Sequence, residues 1–215
     1  MTAGTATPRA STATPRASTA RAAGTRAALL DAARDVFTAS GFAEASIAEV
    51  VARADASVGS LYHHFGGKAE LYLALFDDYQ LRQEARTAAA VKQARSEGEE
   101  DPLALFVAGA GAYLDGCWLE RDLARLFLAG GGPPGFESVA RRRYRDWTRR
   151  NATLLETRSD DGDEPWGDAL VLVLTTVMSE AGHEVAVCED AGRAARLAAD
   201  VLGLVRRIGT PARPS

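Results

Sequence analysis

The sequence predicts an all-α protein of about nine helices, a three-helix N-terminal unit followed by a larger helical domain. Three observations predict it. From Thr25 onward, apolar residues recur every three or four positions, the period of a helix with one buried face. Helix-starting and helix-stopping residues punctuate the chain at regular intervals. The one β-prone run, "LVLVLTTV" at Leu170–Val177, has no partner strand elsewhere, so a helix accounts for it better.

The elements follow in order. Residues 1–24 contain a direct repeat, "TATPRAS" at Thr5–Ser11 and again at Thr12–Ser18, and carry no large apolar side chain beyond Met1. Such a stretch cannot bury enough surface to offset its ordering entropy, so a disordered arm is expected. The first helix begins at Thr25 with Leu29, Leu30, Ala33, Val36 and Phe37 on one stripe, and Gly41 stops it. Ser46 caps a short second helix, and Glu49, three residues on, completes a capping box; Ile47, Val50, Val51 and Ala54 face inward. After the turn at Asp55-Ala56, Ser57 caps a third helix with Val58, Leu61 and Phe65 inward. Two short helices joined by a tight turn form a helix-turn-helix unit, residues 25–71 in all. A long fourth helix starts near Lys68 with Leu71, Leu75, Phe76 and Tyr79 on its apolar side.

The rest of the chain, residues 72–210, reads as helices throughout. Ser96–Asp101 is a charged break, and Pro102 opens the next helix. Pro102–Trp118, Arg121–Ala129, Phe136–Arg158, Glu164–Val187 and Asp190–Ile208 are expected helical, separated by "GGGPPG" and "SDDGDEP".

Composition narrows the function. Cys117 and Cys188 lack metal or redox spacing, which argues against a disulfide framework and suits a reducing cytoplasm. The polar N-terminus lacks a signal-peptide core, and uncharged apolar runs such as Ala169 to Ser179 are short for a bilayer; no membrane partner is expected. The net charge is −4, yet residues 1–70 hold seven Lys/Arg against six Asp/Glu, and the remainder 18 against 23. The first third is therefore the better partner for a polyanion. The predominance of arginine over lysine, with abundant alanine, reflects a GC-rich genome.

The stretch "SVGSLYHHFGGKAEL", Ser57 to Leu71, concentrates the unusual residues. Adjacent His63 and His64 point about a hundred degrees apart on a helix, and no carboxylate sits four residues from either, so a metal site cannot be assembled. "GGK" lacks phosphate-loop spacing and follows no strand. Ser60 has no base and orienting acid in register, so no catalytic residue, metal or cofactor is expected. DNA accounts for the whole set. Ser57, Gly59 and Ser60 are small enough for close approach to a groove, while Ser60, Tyr62 and His63 offer hydrogen-bonding side chains. Lys68 combines a cation with a helix N-terminus. A capped helix with an incidental polar face remains the plain alternative on these residues alone.

The segment "SIAEVVARADASVGSLYHHFGGKAELYLALF", Ser46–Phe76, resembles the TetR family of bacterial transcriptional regulators. The matches are Ser46, Ile47, Ala54, Ser57, Gly59, Leu61, Tyr62, His64, Phe65, Gly67, Lys68 and Leu71. The turn departs from the family pattern: Asp55-Ala56 stands where Gly-Val is usual. Asp tolerates the left-handed conformation, and Ala56 fills less core than Val. The resemblance implies Ser46, Tyr62 and Lys68 on DNA phosphates and Val58, Ser60 and His63 at base edges, with Gly59 permitting approach. His64 is expected to pack at the helix end or meet the backbone. The N-terminal arm is either passive or a basic contact to DNA.

One short recognition helix makes too few contacts for a specific site, so a homodimer on two half-sites of a double-stranded operator is expected. Leu170, Leu174 and Val177, with Leu197, Val201 and Val205 from the last helix, are the expected seam, a four-helix bundle across a two-fold axis. The resemblance further implies a pocket for an unknown small-molecule effector among the middle helices. Candidates are Phe106, Tyr113, Trp118, Phe127, Tyr144, Trp147 and Asn151, with Thr176, Glu180 and His183 as polar contributors. The reading is a dimeric repressor released from its operator by that effector. The alternatives are a small-molecule-binding protein or enzyme retaining the helix-turn-helix as a remnant, and a corepressor-dependent or effector-independent regulator.

Overall fold

In a computed structural model, residues 15–128, 131–156 and 168–209 are described, and among them the chain forms nine α-helices and no strand. They are α1 Pro15–Glu44, α2 Ile47–Arg53, α3 Val58–Phe65, α4 Lys68–Ser96, α5 Pro102–Leu119, α6 Arg121–Leu128, α7 Phe136–Glu156, α8 Asp168–Val187 and α9 Ala191–Gly209. The expected all-α class and helix order are those observed.

Local differences have identifiable causes. The helix α1 starts at Pro15, inside the stretch expected to be a disordered arm. Proline suits a first helical position, and the alanines that follow are the best helix formers, so the segment is helical, with residues 20–24 exposed. Residues 1–14 lie outside the described residues. Gly41 does end the regular turn of α1, with φ 73° in the left-handed region, before Phe42–Glu44 fold back. Ser46 caps α2 by accepting from the Ala48 N–H at 3.2 Å. The expected capping box does not close, because Glu49 accepts from the Arg53 guanidinium one turn on instead. Asp55 takes φ 48°, the left-handed turn residue that the sequence required.

Two cores form. The first gathers α1–α4 around Leu29, Phe37, Val50, Leu61 and Leu71, and it extends to Phe127 of α6 and Phe136 of α7. Tyr72 is its centre, fully buried, with edge contacts to Phe37, Phe42, Phe127 and Phe136 at ring separations of 5.3–5.4 Å. Burial raises its hydroxyl to about 12. The second core joins α5, α7, α8 and α9 around Leu114, Cys117, Leu155, Leu174 and Val205. By length and composition, Pro102–Leu119 and Ala169–Val187 are long and apolar enough to cross a bilayer, a span that counting uncharged runs had not suggested. About half of each is buried, and both supply residues to the second core.

An ionic joint ties α1 to the second half of the molecule. Arg34 donates from Nε and Nη2 to both Asp122 oxygens at 2.8 Å. Glu120, almost wholly buried, accepts from Arg82 Nε at 2.8 Å and from Arg86, with Arg34 at 3.8 Å. Burial alone would raise the Asp122 carboxyl, but the Arg34 guanidinium holds it below its ordinary value.

Candidate nucleic-acid interface and effector cavity

The short helix α3 buries Leu61 and Phe65 and turns the rest outward. Val58, expected inward from its register, is 47% exposed, and Tyr62 is 52% exposed. Two turns of helix give one apolar face to the core, and that face runs through Leu61 and Phe65 only; Val58 lies past its edge. Gly59 and His63 are exposed, Ser60 and His64 half-buried. The His63 and His64 rings meet edge-on at 5.3 Å, and His64 leans toward Phe65 at 6.3 Å. Ser57 caps α3 by accepting from the Ser60 N–H at 3.1 Å. Ser46 and Ser57, as caps, use their oxygens and keep their hydroxyl protons for another acceptor.

Lys68 differs from a free cation. Its ammonium donates to the Ala43 carbonyl at 2.9 Å and lies 4.8 Å from the Phe42 ring centre. It closes the end of α1 with one of three donors and retains two.

A cavity of about 290 Å³ opens between α4, α5, α6, α7 and α8. Of the expected pocket residues, Tyr113, Phe127, Tyr144 and Trp147 line it. Phe106 and Asn151 line a void of about 20 Å³ behind the Tyr113–Trp147 pair. Trp118 instead stacks with Arg121 at 4.6 Å. Thr176, Glu180 and His183 do not line the cavity, because α8 presents Thr175 and Ser179, one turn apart, to it. Thr176 bonds the Tyr144 hydroxyl at 2.7 Å and the Leu172 carbonyl at 2.8 Å; Glu180 is exposed, and His183 is half-buried with Nδ1 unpartnered. Sequence reasoning missed Phe76, Tyr79 and Gln80 of α4 as well as Thr175 and Ser179. Phe76 and Tyr79 had been read correctly as inward, but periodicity alone cannot tell a filled core from a hollow one.

The cavity wall is backed by an uncharged polar cluster. Gln83 Nε2 donates to the Tyr79 hydroxyl at 3.0 Å, and that hydroxyl lies 3.9 Å from Cys117 Sγ. Burial raises the Tyr79 and Tyr113 hydroxyls well above their ordinary value and pushes the Cys117 thiol up to about 11. Gly116 leaves the room that Gln83 occupies: a Cβ there would collide with Gln83 Oε1.

The residues expected at a dimer seam differ in exposure within the protomer. Leu174 and Val205 are fully buried in the core of the protomer. Leu170, Val177, Leu197 and Val201 are half-buried, and the exposed apolar residues beside them are Leu172, Val173, Leu204 and Ile208. Leu197, Val201, Leu204 and Ile208 fall on one stripe of α9, one helical turn apart or nearly so. The nearly all-round apolar sequence of α8 had concealed which side faced out.

Comparison with known proteins adds the following. Residues 29–75 match the family model described as bacterial regulatory proteins, tetR family. The chain is 30% identical over 179 residues to the A-factor receptor protein of Streptomyces griseus, a match covering 81% of this chain. It spans 59% of that relative's length. A TetR-family transcriptional regulator from Pectobacterium atrosepticum is similar at 27% identity and a TM-score of 0.59, covering 91% of this chain and 98% of that one. A transcriptional regulator from Aquifex aeolicus VF5 gives a TM-score of 0.66 at 19% identity, over 86% of this chain and 99% of that one. At that identity the likeness is one of fold.

Proposed function

We propose that the chain, whose helix-turn-helix unit matches the TetR family of bacterial regulatory proteins, is a dimeric transcriptional repressor that a small-molecule effector releases from a palindromic operator. The outer face of α3 carries this reading. Val58, Tyr62 and His63 stand in solvent on a helix that the core needs only for Leu61 and Phe65. A large apolar residue and an aromatic one held outward on so short a helix are well suited to a major groove.

In this reading Ser46, Tyr62 and Lys68 meet phosphates, the serine through its free hydroxyl proton and the lysine through its two spare donors. Val58, Ser60 and His63 face base edges; Ser57 and Gly59 allow close approach, and His64 supports the end of the helix. The dimer forms on the outward side of α8 and α9, which places two copies of α3 on successive half-sites. The cavity is the effector site. Its α4 wall carries Phe76, Tyr79 and Gln80, and the same helix begins at Lys68 beside α3. A ligand that prefers one position of α4 therefore shifts the spacing of the two recognition helices. That the Streptomyces relative is named a receptor supports a ligand-responsive role.

The test is selection of random duplexes by the purified protein. A palindromic site should be enriched and then bound in a gel-shift assay by two copies of the chain. Recovery of no sequence above a scrambled control would overturn the proposal.

A further inference from the structure

We propose that the cavity takes a compact, ring-bearing organic anion, with Arg141 binding its acidic group. The inference rests on the cavity being the effector site. At about 290 Å³ the space lies at the lower end of the roughly 300–1,000 Å³ typical of small-molecule pockets. Its walls are aromatic, from Phe76, Phe127 and Trp147 among others, which favours flat apolar rings.

The charges are uneven. The lining contains two arginines and no carboxylate. Arg143 is already neutralised by Asp77 at 2.6 Å. Arg141 is exposed at the rim and pairs with no carboxylate among the described residues. Tyr79 and Tyr113 of the wall stay protonated, because burial raises their hydroxyls. A cationic ligand would meet one unpaired positive charge and no partner, whereas an anion gains a charge-assisted bond from a guanidinium. Thr175 and Ser179 offer neutral hydroxyls for a further polar group deeper in.

Shape excludes long chains. The Tyr113 and Trp147 rings, 4.8 Å apart, close the inner end. Beyond them lie the small void and a separate groove of about 400 Å³ lined by Val91, Leu154 and Trp147. A long acyl tail fits only if that aromatic pair parts.

The experiment uses the full chain with 2-naphthoate, its neutral amide, the corresponding 2-naphthylmethylamine, and dodecanoate. Binding is read by calorimetry and tryptophan fluorescence. Naphthoate should bind about tenfold or more tightly than the amide, and the amine least. Arg141→Gln should remove that preference, Arg141→Lys should keep part of it, and Trp147→Phe should remove most of the fluorescence response. Equal binding of amide and acid, a preference that survives Arg141→Gln, tighter binding of dodecanoate, or no ring anion bound at millimolar concentration would each overturn the proposal. Operator binding separates the two readings. An Arg141-dependent ligand on a protein that selects no DNA leaves the ligand class standing and sinks the repressor. An operator complex released by the neutral amide but not the acid does the reverse.

Discussion

The third helix, α3, and the cavity among α4–α8 are built on opposite plans. The helix α3 is eight residues long, capped by its own neighbour Ser57 and seated by Leu61 and Phe65. Everything it offers comes from one contiguous stretch. The cavity is a gap among five helices, and residues from Phe76 to Ser179 reach it. Side chains that face DNA need only a local register to be placed, whereas side chains that enclose a ligand need the whole packing to be known. The two regions meet along α4, which begins beside the first and forms a wall of the second.

The strongest way to break the contrast is at Tyr72, where both regions share one ring cluster. Tyr72→Ala removes four edge contacts from a fully buried site and should cost about 3–5 kcal/mol of stability. Because the ring touches α1, α6 and α7, chemical denaturation followed by helix content and by tryptophan fluorescence should show both signals shifting together. If the tryptophan signal held its midpoint while helix content moved, the two regions would unfold independently.

A second variant separates dimerisation from both. Val201→Asp with Leu204→Asp places charge on the outward stripe of α9, with Leu204 already 49% exposed in the protomer. The fold should survive, and sedimentation should show a monomer. Operator affinity should then fall about a hundredfold or more, since one recognition helix reads only one half-site. A soluble dimer would move the interface off this face.

What the sequence made legible follows the same division. Caps, turn and buried stripe of the helix-turn-helix unit depend on neighbours a few residues apart, so Ser46, Ser57, Asp55, Leu61 and Phe65 read correctly. Val58 misread because the apolar face is narrower than its period suggests. Helix order in the second domain was also plain, since proline and glycine punctuate it. Which side of α8 faces what was not: with Val171, Leu172, Val173 and Leu174 in succession, hydrophobicity has no direction, and Leu174 turned out to be core while Leu172 and Val173 face out. Glu180 and His183 were drawn into the pocket by chemistry alone: Glu180 stands one position past Ser179, which lines it, and His183 one turn past.

Within the recognition helix a finer test compares two neighbours. His63 is exposed and His64 half-buried beside Phe65. His63→Ala should relax preference at one base pair per half-site, losing about 1–3 kcal/mol on the preferred sequence and little on others. His64→Ala should weaken all sequences alike. Selection from random operators distinguishes them, and the reverse pattern would rotate the reading face by one residue.

The smallest expected effect lies at the ionic joint through which α1 is held to α6. The Asp122 carboxyl is held below its ordinary 3.8 by Arg34, despite the opposing effect of burial. A carboxyl with a depressed folded value stabilises the fold above its unfolded value, and that contribution is lost as pH falls from about 3.8 through the lower folded value. The Asp122 side chain is 41% exposed, so solvent screening keeps the contribution to about 1 kcal/mol or less. Asp122→Asn should therefore lower the melting temperature slightly at about pH 7, and the gap from the unmodified chain should narrow as pH falls below the ordinary carboxyl value of 3.8. Glu120 is untouched by this change, and it keeps Arg82 and Arg86 in place. A gap that persisted in acid would mean that Asp122 acts through shape, and that α1 is held to α6 by packing around Phe127 with no measurable help from charge.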